Sequence, residues 1–255
     1  MHYSLEEFLT VAIVMTIGSV LQGAIGFASG LMGVPMLVLC GFSLVEATVI
    51  NFVSTAVQNF TGAFQLWSHI EARDVTLPAI LRCVGLPLGT LALAATPNLD
   101  QDLVKQIIGV VLLVSVLMLV AVRVRPRDSL GYGWIGLTFI SSGFLMGFAS
   151  IGGAPMVMYV NSLTWSAAKS RAFMFFCSAA IMPFMACALI WQFGEQLLKP
   201  AFLAVLILPP CLLGLWLGLT LGARLDKDRF RRLSYGLLLV VAIATILSPV
   251  VFNGR

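Results

Sequence analysis

Charge is scarce in this chain, and the middles of its apolar runs hold no carboxylate. Only 10% of the 255 residues are Asp, Glu, Lys or Arg and 60% are hydrophobic, whereas a soluble domain is roughly a quarter charged. Short segments of alternating polarity are missing, which excludes an outer-membrane barrel. The two histidines lie outside the apolar runs, and no nucleophile–base pair or metal-ligand spacing occurs within them. A membrane-embedded enzyme therefore has no residues to work with, and no cofactor or metal is expected. The chain also lacks a nucleotide-binding motif, so energy for any transport must come from an ion gradient or a partner. Its five cysteines (Cys40, Cys83, Cys177, Cys187, Cys211) are an odd number in apolar segments, without CxxC, and no disulfide framework is expected. Glu6 and Glu7 stand where a secretory signal would carry Lys or Arg, so the first apolar run is expected in the mature protein. The net charge of +4 comes from short loops and gives no reason to expect nucleic acid.

What the chain has in quantity is apolar sequence. Eight blocks are visible, at roughly 8–41, 44–67, 75–96, 103–122, 133–162, 167–192, 200–222 and 233–252. Runs of about 20 residues identify a polytopic, all-α integral membrane protein in a lipid bilayer. Blocks one and five are too long for one span and carry matching interruptions: GFASGLMGVPM at 26–36 and GFASIGGAPM at 147–156. Pro78 and Pro87 recur as Pro200 and Pro209, and Asp100 is answered by Asp226. The expected organisation is two four-block repeats, 1–122 and 133–255, joined by a cytoplasmic linker at 123–132, each opening with a helical hairpin broken by Gly and Pro.

The loop charges suggest that the repeats are inverted. The loop after block three is acidic, while its counterpart after block seven, 224–232, is strongly basic. If blocks one and five each enter and return on one side, eleven of the fifteen Lys/Arg become cytoplasmic, as cytoplasmic loops prefer. Both termini are then external. Eight plain spans are the alternative.

Two interrupted segments at matching places point to a transporter's binding site. Gly26, Gly30, Gly33, Gly147, Gly152 and Gly153 free the backbone, and Ser29 and Ser150 add hydroxyl donors. The segments after the breaks are expected to start at Val34-Pro35 and Ala154-Pro155, with both helix starts presenting N–H groups to one anion. In block two, Thr48, Asn51, Thr55, Gln58, Gly62 and Gln65 share one helix face, and Asn51 and Gln58 are the candidate amide donors. Arg171, beside the second break, is placed to attract anions from the cytoplasm. Arg82 either neutralises an anion inside the membrane or snorkels to the interface. His69, next to Glu71 and Arg73, reads as a loop residue.

The Gly-rich break ending in proline, once in each half of a small eight-block protein, resembles the TauE/SafE family of anion permeases. The family pattern is GxGGG, apolar residues and Pro. Here Ala28 and Ser29 stand at usual glycine positions, and the second copy keeps Gly152-Gly153. The resemblance implies a plasma-membrane permease for a small anion, with sulfite, sulfonates and related sulfur compounds typical. A coupling proton or other ion and a homodimer are open. A passive anion channel and a non-transporting membrane scaffold are the competing readings.

Overall fold

A computed structural model describes residues 3–121, 127–224, 236 and 238–247. The Asp100–Asp226 match and most of the basic run 224–232 therefore lie outside the described residues on at least one side, as do residues 123–126 of the linker and the C-terminus. The described residues form helices and no sheet; the single β-bridge joins Arg127 to Leu163. Each apolar block corresponds to helix: α1 (Leu5–Ile25) and α2 (Ser29–Leu39) in the first, then α3 (Leu44–Leu66), α4 (Ala72–Ala95) and α5 (Gln101–Ala121). The fifth block holds α6 (Tyr132–Ala149) and α7 (Gly153–Asn161), followed by α8 (Ala167–Phe193), α9 (Leu198–Leu206), α10 (Leu208–Arg224) and α11 (Leu238–Leu247). Among the described residues, five segments are long and apolar enough to cross a membrane.

Two parallel helix pairs form the frame, and both rest on glycine. Along α1 and α10, a Cβ at Gly214 would meet the Thr16 carbonyl, one at Gly218 the Val20 carbonyl, and one at Gly222 the Ala24 backbone. Along α4 and α6, a Cβ at Gly85 would meet the Ile140 carbonyl and one at Gly89 the Phe144 carbonyl. In each pair both chains advance together, so the axes run the same way with backbones in contact. Such small-residue seams let membrane helices approach without a solvent-driven hydrophobic effect between them.

The two ends of the bundle are marked by polar contacts. At one end the Tyr3 hydroxyl donates to Glu46 at 3.1 Å and Lys199 lies 4.1 Å from the Tyr3 ring centroid. At the other, Lys169 pairs with Asp74 at 2.8 Å, Thr164 donates to Asp128 at 2.9 Å, and the Arg127 backbone bonds Ser162 and Thr164. The pair α1/α10 runs away from the Tyr3 end, and α4/α6 away from the Asp74 end.

Each of the two split blocks doubles back. A Cβ at Gly18 would lie 3.3 Å from the Ser29 hydroxyl, and one at Gly33 would lie 2.9 Å from the Met15 sulfur, so α2 ascends as α1 descends. Likewise Ser142 donates to the Gly152 carbonyl at 2.6 Å, while the Phe139 and Tyr159 rings meet edge-on at 4.8 Å. The helix after the first break begins at Ser29, not at Val34-Pro35: Pro35 lies inside α2. Its missing N–H costs one intrahelical bond but does not end the helix. The second expectation is closer, since α7 begins at Gly153, one residue before Ala154-Pro155.

The two GFAS words occupy different places. The first crosses the break, from the C-cap Gly26 to the first residue of α2. The second ends α6, and its Ser150 is the C-cap. Helix ends and starts therefore correspond at a spacing of 124 residues (25 and 149, 29 and 153), not the 121 of the shared word.

Candidate anion site between the two breaks

Both breaks leave their helix through the left-handed region: Gly26 has φ 86°, Ala28 φ 108° and Ser150 φ 55°. Glycine adopts this geometry freely, but Ala28 and Ser150 do not, and such strain costs about 1–3 kcal/mol per residue where the surroundings enforce it. The breaks touch one another. A Cβ at Gly30 would collide with the Ser150 carbonyl oxygen, and one at Gly153 would stand 3.2 Å from the Phe27 Cβ. Asn51 joins the two halves of the contact, since its amide donates to the Ser150 carbonyl and its carbonyl accepts from the Ser29 hydroxyl, both at 3.4 Å.

Between them lies a cavity of about 50 Å³. At roughly 10–15 Å³ per water it has room for three to five waters, or for one small oxyanion. Gly26, Gly30, Ser150, Gly152, Gly153 and Asn51 line it. The helices that start here carry no side-chain cap, whereas Ser4, Ser43 and Ser166 cap α1, α3 and α8. The first-turn N–H groups of α2 and α7 are thus left for another acceptor, and a helix start also carries about half a positive charge.

Arg82 supplies a full charge at the same place. It is 1% exposed, so it does not snorkel, and its guanidinium reaches the cavity from α4. Nη1 donates to the Cys177 carbonyl at 2.7 Å, Nε has no partner, and no carboxylate pairs with it among the described residues. Gly152 makes the approach possible: a Cβ there would lie 3.1 Å from Nη2. A buried, unpaired guanidinium costs several kcal/mol in desolvation. An anion beside it would recover that cost through charge-assisted hydrogen bonds.

Part of the lining is soft. Met146, Met156, Met174 and Met182 form it, and thioethers are polarisable and adapt to irregular partners. Thr55 and Asn59 continue the polar side from α3, and Gln22 donates to Asn59 at 3.0 Å.

The other expected site residues lie elsewhere. Ser29 and Gly33 stand behind Asn51, packed against α1. Gly147 lies in the α4/α6 seam, against the Leu86 carbonyl, where it permits close packing. Gln58 turns towards α1 and donates to Ser19 at 2.9 Å. Arg171 lines a neighbouring cavity. The stripe on α3 is buried from Thr48 to Gly62 and is exposed at Gln65. Asn51 and Gln58, equivalent by helical spacing, thus have different surroundings. Asn51→Leu should weaken apparent anion affinity about five- to tenfold, because it removes an amide from the cavity wall and breaks the link between Ser29 and the Ser150 carbonyl. Gln58→Leu should change thermal stability and leave that affinity within about twofold. Concentration-dependent uptake and melting curves on both variants check the distinction.

No curated protein and no solved structure matches this chain. The family model described as sulfite exporter TauE/SafE matches residues 11–245, nearly the whole length. A multi-pass helical bundle with an uncapped, arginine-bearing cavity at its centre thus belongs to the TauE/SafE sulfite exporter family of membrane transporters.

Proposed function

We propose that this protein is a secondary transporter that moves a small sulfur-containing anion, sulfite or a sulfonate, across the plasma membrane. The anion is held at the two breaks by Arg82, the Asn51 amide and the first-turn N–H groups of α2 and α7. The observation that carries this reading is Arg82, a charge 1% exposed and without a carboxylate partner among the described residues, aimed into a cavity between two uncapped helix starts. Among the described residues, Arg82 is the one ionisable side chain lining that cavity.

The frame suits alternating access. Two units, 1–122 and 133–255 about the linker 123–132, are read as an inverted duplication. Support comes from the two parallel pairs that run in opposite directions, and from the cavity's own lining. Asn51, Thr55 and Asn59 of α3 are answered 123 residues later by Met174, Ser178 and Met182 of α8. One ancestral face has become polar in one half and thioether-rich in the other, which fits an anion with one charged end and one soft or apolar end. The end bearing Arg73, Arg127, Lys169 and Arg171 is read as cytoplasmic by its basic excess.

Proteoliposomes containing the purified chain provide the test. Uptake of sulfite, sulfate, methanesulfonate and acetate is measured with and without a pH gradient. Saturable flux of sulfite or methanesulfonate, with counterflow, is expected. Flux that stays linear with concentration and lacks counterflow would replace the carrier with a channel. Absence of flux for every anion would remove the transport reading.

A further inference from the structure

Beside the central cavity, towards the Asp74–Lys169 end, lies a second one of about 90 Å³. Arg171 lines it together with Asn161, Ser170, Phe27 and Met174. The Arg171 Nε is buried and unpartnered. Among the described residues no carboxylate pairs with Arg171, and Asp74 pairs with Lys169 at 2.8 Å. Phe27 and Met174 line both cavities and are 7% and 3% exposed. Both Met174 and Arg171 lean on the first break: a Cβ at Gly26 would lie 2.6 Å from the Met174 Cε and 3.4 Å from the Arg171 Cγ.

Helical spacing makes this a path. Arg171, Met174, Ser178 and Met182 fall at i, i+3, i+7 and i+11, one face of α8 that runs from the second cavity into the central one. We propose that the Arg171 cavity is a second anion site, in series with the central one, and that the Phe27 and Met174 side chains form the barrier between them. It rests on the reading of the central cavity as the substrate site. The ligand is the same class, a small anion, held first by Arg171 and then passed to Arg82 when the barrier side chains change rotamer. Methionine suits a barrier of this kind, because its unbranched chain moves without disturbing the helix that carries it.

Cysteine reactivity tests both parts on the purified full-length chain in detergent, with the five native cysteines replaced. Single cysteines are introduced as Ser170→Cys in the second cavity and Ser178→Cys in the central one. Each is treated with an anionic (sulfonatoethyl) and a cationic (trimethylammonioethyl) methanethiosulfonate. The Ser170→Cys protein should react about tenfold faster with the anionic reagent, the enrichment expected from a focused positive charge. Adding Arg171→Gln should abolish that preference. The Ser178→Cys protein should react slowly with both reagents, and about tenfold faster once Met174→Ala or, independently, Phe27→Leu thins the barrier. A preference unchanged by Arg171→Gln would overturn the second site. A Ser178→Cys rate unchanged by both barrier variants would overturn the barrier. Sulfite should protect Ser178→Cys, and Arg82→Gln should remove that protection while the charge preference at Ser170→Cys stays. Protection that survives Arg82→Gln would instead count against the central site, and so separates the failure of the two readings.

Discussion

Arg82→Met should melt no earlier than the wild type in anion-free buffer, yet lose the stabilisation that sulfite gives the wild type, along with transport. The first half follows from burial. A guanidinium that is 1% exposed with an unpartnered Nε is an expense to the fold, and hydrophobic replacement of buried charge is often neutral or stabilising. The lost Nη1 bond to the Cys177 carbonyl offsets part of that gain. The second half follows from the anion's need for a counter-charge. Truncating one member of a buried, hydrogen-bonded charge pair costs about 2–5 kcal/mol, roughly 30- to 4,000-fold in affinity. Arg82→Lys should recover only part of this, since an ammonium keeps the charge but not the planar, forked donor set. Differential scanning fluorimetry with and without sulfite reads both halves. A variant that loses stability and keeps its sulfite shift would make Arg82 a structural residue.

The second large effect belongs to Gly30. A Cβ there collides with the Ser150 carbonyl oxygen and stands 3.1 Å from the Asn51 amide nitrogen. The nearer neighbour is backbone and not the end of a flexible side chain, so even alanine must push the breaks apart. Overpacking of this kind costs about 1–3 kcal/mol, and a displacement of about 1 Å at a binding constellation is enough for large functional losses. Gly30→Ala should therefore reduce transport about a hundredfold while the protein remains monodisperse, and Gly30→Val should do so more severely. Ser29→Ala, which removes one hydroxyl behind Asn51, should reduce transport only about two- to threefold. Transport by Gly30→Ala equal to that of the Ser29→Ala variant would show that the breaks need not touch.

Much of this was legible in the sequence, and the parts that were not share a cause. The apolar blocks and the two interruptions depend on local composition, and each block corresponds to helix in the structure. Register across the breaks depends on which residue takes the left-handed turn. A shared word of four letters does not report that, so GFAS aligns at 121 where the helix ends align at 124. Arg82 is visible as a charge within an apolar block, but its direction is set by Gly152 from the other half of the chain, which leaves space for the guanidinium. Periodicity places Asn51 and Gln58 on one face. It does not reveal that the face is shared, with Asn51 and Asn59 turned to the cavity and Gln58 to α1. The methionines of the soft wall are indistinguishable in sequence from ordinary core residues, and only convergence of α6, α7 and α8 marks them.

Direct localisation of a bound anion tests the central claim. Selenite, the selenium counterpart of sulfite, gives an anomalous signal in crystals of the protein grown or soaked with it. The account predicts one strong selenium peak between the breaks, about 4 Å from the Arg82 guanidinium and beside the Asn51 amide, and its disappearance in Arg82→Gln crystals treated in the same way. A selenium peak away from this cavity, in protein whose selenite transport has been demonstrated, would contradict it.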